Sequence, residues 1–257
     1  MELLSGQGPL LLYVFAGVMA ILAGMVKGLV GFGMPMILIS GLSTIMPPDV
    51  ALAGLIGPTL VTNLWQALRQ GPGAAVASVR MFAPFMVAGA VTLVLAAQLV
   101  PHMRSEALLL IIAVPITGFA LLMLLGRELP LPAQPGRGVQ GAIGALSGCL
   151  GGMTGVWGPT TVAMLTAMQT EKRDQIRIQG VIYGSGAVLL AVAHFGSGVL
   201  NAATVGLSFV LIAPAILGQW LGLQVQDRID QVMFRRLTLI VLLLAGLNLL
   251  RRGVMGG

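Results

Sequence analysis

Residues 23–40 read AGMVKGLVGFGMPMILIS, and the fold turns on why so apolar a run carries four glycines, a lysine and a proline. The pattern returns at residues 147–163 as SGCLGGMTGVWGPTTVA. A constant offset of 124 residues aligns Gly24 with Gly148, Gly28 with Gly152, Gly31 with Gly155 and Pro35 with Pro159. A helix in lipid must satisfy its own backbone, so glycine clusters ending in proline are expected only where unwound chain is buried in protein or lines a cavity. Interruptions at matching places in two halves point to a transporter's substrate site.

The rest of the chain suits that setting. Of its 257 residues 57% are hydrophobic and 9% charged, and the mean hydropathy is +0.97, far outside the range of soluble domains. Fourteen Lys and Arg against eight acids leave a net charge of +6. In a soluble protein that excess suggests nucleic acid; here the basic residues lie in short loops between apolar runs and read as topology signals, with no nucleic-acid partner. The single Cys149 excludes an internal disulfide and reads as a small packing residue. Glu2 stands where a signal peptide would be basic, so the first apolar run is expected to be retained.

About 20 apolar residues cross a bilayer core, which places spans near 9–44 (interrupted), 48–68, 76–99, 107–126, 138–168 (interrupted), 175–194, 202–224 and 233–250. RELPLPAQPGR at 127–137 reads as a linker between repeats 1–126 and 138–257. Each repeat is then one interrupted segment followed by three plain helices. If each interrupted segment crosses once, the Arg and Lys of the loops divide six against seven. If each turns back and leaves on the side it entered, ten lie on one side, among them Arg69, Arg80, Lys172, Arg177 and Arg228, and three on the other. Ten against three is the bias of cytoplasmic loops. The second arrangement gives an all-α polytopic membrane protein of two inverted repeats, each a re-entrant helical hairpin plus three transmembrane helices, with both termini periplasmic. The kinked tips are expected to meet at mid-depth.

The segments VKGLVGFGMP in the first half, GPTLVTNLWQALRQG at 57–71 and GCLGGMTGVWGP in the second resemble the TauE/SafE family, the sulfite exporter and toluene-sulfonate uptake permeases. The resemblance runs from about residue 12 to 250, and it implies transport of sulfite, sulfoacetate, other sulfonates or other small organic anions across a bacterial inner membrane. The second copy departs from the glycine pattern at Trp157, so the half-sites need not contribute equally.

Lys27 is the one charged residue that no loop can claim. An uncompensated ammonium in hydrocarbon costs about 2.5 kcal/mol or more. Either it neutralises an anion held against the Gly28, Gly31 and Gly33 backbone, where helix-end N–H groups also favour negative charge, or its stem snorkels to water. The spacing of Gly24 with Gly28, and of Gly144 with Gly148 and Gly152, suits close helix approach. Gly31, Gly33 and Gly155 are the candidates for unwound backbone, and Thr154 adjoins the second break. Thr59, Thr62, Asn63 and Gln66 recur at helical spacing in the second span, with Gln179, Tyr183 and Ser185 as counterparts in the sixth; neutral donors of this kind orient an oxyanion or merely cross-link helices. Gln98 and Gln219 read as structural. Trp65 and Trp157 are placed to shape a cavity, and Trp220 to pack or face lipid. The candidate substrate-binding set is thus Lys27, Gly28, Gly31, Gly33, Thr59, Asn63, Gln66, Gly152, Thr154, Gly155, Trp157, Gln179 and Tyr183.

His102 and His194 have no ligand-spaced companion, so no metal or cofactor is expected. All eight acids fall at or beyond the span ends, which leaves no carboxylate relay. There is no Walker motif, and no Ser-His pair or carboxylate pair within a span to serve an enzyme. The expectation is a secondary exporter of a small anion, with the bilayer and that anion as partners and homo-oligomers allowed. Its alternatives are an anion channel or an uptake carrier for another organic anion.

Overall fold

Helix α1 (Pro9–Val30) stops where Gly31 and Gly33 take φ of +90° and +92°, a left-handed backbone that side chains resist, and α2 (Met34–Leu42) starts beyond them. The computed structural model describes residues 9–42, 44–97, 105–127, 135–154, 158–196, 202 and 204–255. α2 does not continue α1. Its Met34, Leu38 and Leu42 pack on Ala16, Ala20 and Ala23 of α1, and Gly41 abuts the Met19 side chain, so the segment doubles back as a hairpin. The hairpin expected from the glycine pattern is therefore present in residues 9–42.

Nine further helices follow among the described residues: α3 (Pro48–Leu68), α4 (Pro72–Met81), α5 (Ala83–Ala97), α6 (Ser105–Leu124), α7 (Arg137–Thr154), α8 (Gly158–Ala167), α9 (Lys172–Gly196), α10 (Val205–Arg228) and α11 (Gln231–Met255). α1, α3, α10 and α11 are each long and apolar enough to cross a membrane, and the α4 and α5 pair makes a fifth candidate. Residues 76–99, expected as one plain helix, instead break at Phe82 with a bend of 68°. Pro84 has no N–H to return to the Arg80 carbonyl, which ends the ladder there. The α5 portion, 15 residues or about 22 Å, is short for a bilayer core.

The helices pack as two units, Met1–Pro72 with Ile176–Asp230 and Gly73–Gln175 with Gln231–Gly257, each drawing on both halves of the chain. In the first unit α1 runs parallel to α10, and each presents a pair of glycines four residues apart to the other's backbone. A Cβ at Gly24 would lie 2.3 Å from the Ala215 carbonyl oxygen and one at Gly28 2.2 Å from that of Gln219; from the other side, Gly218 and Gly222 meet the carbonyls of Ile21 and Met25 at 2.0 and 2.1 Å. Only bare backbone allows that separation. α3 joins them through Gly57 N–H donating to Ser208 Oγ at 2.7 Å. α9 runs antiparallel to α3, with Gly180 against Gln66 and Ala67, and Gly184 beside Asn63.

These directions bring the ends of α3 and α10 and the start of α9 together. Arg69 pairs with Asp227 and donates to Gln226 Oε1 at 3.1 Å, and Arg177 donates to Gln70 Oε1. Arg69 and Arg177 thus share one end of the unit.

The second unit repeats the close pairing between α5 and α7. A Cβ at Gly144 would lie 2.2 Å from the Phe85 carbonyl oxygen and one at Gly148 1.9 Å from that of Gly89, while Thr92 Oγ1 donates to the Ala145 carbonyl at 2.8 Å. Thr160 Oγ1 donates to Ser147 Oγ at 3.2 Å, tying the first turn of α8 to α7. α11 packs on α6 where Gly246 faces Thr117, and Gln231 bridges the Thr170 carbonyl and the Lys172 N–H at 3.0 and 2.9 Å.

Gly222→Val should lower stability in detergent by about 1–3 kcal/mol, because its methyls meet backbone that cannot yield. Gly206→Ala in the same helix has nothing within 4 Å of its Cβ and should leave the thermal midpoint unchanged; equal midpoints for both variants would remove the packing argument.

Candidate functional site

Lys27 lies in the last turn of α1, and its carbonyl closes that turn by accepting Gly31 N–H at 2.7 Å. Its side chain is 2% exposed, and it is the one charged residue among the buried side chains described. Nζ donates to Oδ1 of Asn63 on α3 and has no carboxylate partner among the described residues. The described acids Asp49, Glu106, Glu171, Asp174, Asp227 and Asp230 all sit at helix ends or between helices. Glu2 and Glu128 lie outside the described residues.

Around the ammonium the polar face of α3 closes in. Thr59, Asn63 and Gln66 are all buried. Gln66 Nε2 donates to the Lys27 carbonyl at 3.1 Å, and Gln219 Nε2 on α10 donates to the Thr62 carbonyl at 3.1 Å. Four atoms are left with no hydrogen-bond partner: Thr59 Oγ1, Asn63 Nδ2, Gln66 Oε1 and Gln219 Oε1. Buried polar atoms are rarely left so, because each forfeits about 1–3 kcal/mol of solvation. Thr62, by contrast, is spoken for: its hydroxyl donates to the Pro58 carbonyl at 2.6 Å.

Gln179 of α9 holds the tip itself. With its amide turned so that nitrogen faces the carbonyls, Nε2 donates to Gly31 at 2.9 Å and Val30 at 3.3 Å, covering acceptors that the end of α1 leaves open. The first turn of α2 supplies N–H groups without intrahelical acceptors, and Pro35 at its second position gives up a donor that would have been orphaned anyway. Pro159 holds the same position in α8. The site therefore offers one ammonium, the unpartnered donors Asn63 Nδ2 and Thr59 Oγ1 and a helix start, groups suited to a small oxyanion, beside two unpartnered amide oxygens.

The geometry joins Lys27, Gly31, Asn63, Gln66 and Gln179 in the first unit; Thr59 is buried one turn before Asn63 on α3, and Gly33 is the second left-handed residue of the break. Gly28 is turned onto α10, so its hydrogen serves the helix contact. Tyr183 is buried one turn beyond Gln179. Gly152 and Thr154 fall in the last turn of α7, with no side-chain placement described; Gly155, Trp157 and Gln98 lie outside the described residues. The tip stands beside the last two turns of α3. Gln219, read as structural, joins α10 to α3 at the Thr62 carbonyl, and its own side-chain oxygen is left unpartnered.

Gly31→Ala should lower stability by about 1–2 kcal/mol through backbone strain, and it brings a methyl within 1.8 Å of the Gln179 amide. Thermal denaturation in detergent measures the loss, and an unchanged midpoint would remove the strain argument.

The chain matches the family model described as Sulfite exporter TauE/SafE over residues 16–249, nearly its whole length. No curated protein and no solved structure matches it. A family match of that extent, on a chain whose apolar helices are long enough to cross a bilayer several times, makes this protein a multi-pass membrane transporter of the TauE/SafE sulfite exporter family.

Proposed function

We propose that the protein is a secondary carrier exporting sulfite or a small organosulfonate such as sulfoacetate, and that Lys27 is the group that receives the anion. The observation that carries this reading is a buried ammonium whose only described partner is a neutral amide, beside donors left unpaired. A structural lysine at such depth would be expected to keep a carboxylate. In this site the counter-charge arrives with the substrate. Asn63 holds Nζ, and Asn63 Nδ2, Thr59 Oγ1 and the first N–H groups of α2 bind the oxyanion's remaining oxygens. Gly31, Gly33 and Gln179 fix the tip that presents them.

The two halves are proposed to be inverted repeats that rock about the site, the second contributing Gly152, Thr154, Gly155 and Trp157 at its own break, and Tyr183 lining the path. Three observations support the repeat. Pro35 and Pro159 each occupy the second position of a half-helix. The contacts of Gly24 on α10 and of Gly148 on α5 correspond under the 124-residue offset. Arg69 and Arg177 share an end, which under the positive-inside rule is cytoplasmic and leaves both termini periplasmic in an inner membrane. Export suits an anion leaving a cell that is negative inside: each charge gains about 2.3 kcal/mol per 100 mV, so no nucleotide is needed.

Labelled sulfite, sulfoacetate and acetate should leave proteoliposomes containing the purified protein at saturable rates, sulfite or sulfoacetate fastest. Lys27→Gln should cut that flux more than tenfold. Asn63→Asp, which supplies a permanent internal counter-charge, should do the same while the protein stays folded in detergent. Undiminished flux in both variants would remove the ammonium from the site.

A further inference from the structure

We propose that Lys27 carries a proton together with the anion, so that the coupled ion of this transporter is H⁺ taken up on the same nitrogen that binds substrate; the inference rests on the anion-carrier reading above. The geometry that points to it is the identity of Lys27's partner. Asn63 is an amide, with Oδ1 accepting from Nζ and Nδ2 free of any partner. An amide can serve either form of a lysine: its oxygen accepts from an ammonium and, turned over, its nitrogen donates to the lone pair of an amine. A carboxylate in its place would hold the ammonium permanently. The unpartnered Nδ2 leaves that second orientation available without breaking another bond.

Among the described residues, nothing else near the nitrogen takes the proton or neutralises it. α1 has no other charged residue over Pro9–Val30, and α2 has none over Met34–Leu42. On α3 the charged groups are Asp49 and the terminal Arg69, which is engaged by Asp227 and Gln226; Asn63 and Gln66 are the groups that face the lysine. α9 brings Lys172, Arg173, Asp174 and Arg177 at its start and the neutral phenol of Tyr183 beyond Gln179, while His194 lies near its far end. α10 brings Gln219 to the cluster and carries its charges, Asp227 and Arg228, in its last turn. A buried ammonium left behind by its anion would stand uncompensated. Releasing the proton removes that charge.

The cycle balances without another reactant. An amine nitrogen bonds a proton from water on one side as the anion enters, and the ammonium and anion cross as a neutral contact pair. On the far side the anion leaves, the N–H bond breaks to water, and the amine is regenerated. A monovalent anion then moves without net charge and a divalent one moves with a single negative charge, so the pH difference becomes part of the driving force.

Calorimetry on the purified full chain tests this with sulfoacetate or methanesulfonate, whose own charges are fixed near neutral pH, titrated in two buffers of different ionisation enthalpy. The expected result is uptake approaching one proton per anion bound, with Kd weakening as pH rises, by up to about tenfold per unit. Lys27→Arg, which keeps the charge but does not release its proton, should bind with no proton uptake and a flat pH profile. In proteoliposomes holding a pH dye, the lumen should become alkaline as labelled sulfonate leaves. Saturable sulfonate flux with no pH change and no proton uptake overturns the proton role and leaves the carrier intact. Absence of binding and of flux for every anion, sulfite included, overturns the carrier reading itself.

Discussion

Everything in the first unit follows from a single demand: backbone and charge withdrawn from water must find partners inside the protein. Where α1 ends at Gly31, its last carbonyls are met by the Gln179 amide and the Lys27 carbonyl is shared with Gln66. The tip is irregular, yet the carbonyls of Lys27, Val30 and Gly31 are covered. The ammonium is another matter, because Asn63 satisfies one donor and leaves the charge itself unanswered. The described residues thus cover the carbonyls at the break and leave one buried cation facing a neutral amide.

The close pairing of helices makes the arrangement possible. α1 can bring Lys27 to α3 only because Gly24, Gly28, Gly218 and Gly222 let α1 and α10 touch backbone to backbone. Larger residues would widen the gap by a side chain and draw Lys27 away from Asn63. Glycines that look like substrate contacts in the sequence are in part what lets the helices approach, and Gly28 illustrates the point: it adjoins Lys27 but faces the neighbouring helix.

Much of this was legible in the sequence, and for physical reasons. Gly31 and Gly33 announce a break because only glycine takes a left-handed backbone cheaply. The polar stripe of Thr59, Asn63 and Gln66 stands out because such residues are costly in an apolar helix. Other features were not readable. Pro84 accompanies a sharp bend, yet Pro58 and Pro214 sit inside continuous helices, so proline alone does not reveal where a span divides. Which helix Gln219 would tie to α10 was not readable, because its partner Thr62 is 157 residues away and a one-dimensional pattern does not say which helices lie together. The division into packed units, each mixing both halves, was hidden for the same reason.

That pairing of α1 with α10 also bears on how the protein is made. α1 carries a face of bare backbone whose complement, Gly218 and Gly222, emerges from the ribosome nearly two hundred residues later. Until then that face lacks its partner. Packing of α1 is therefore a late event in biogenesis, and a ribosome that stalls before α10 releases a chain whose glycine face has nothing to close on.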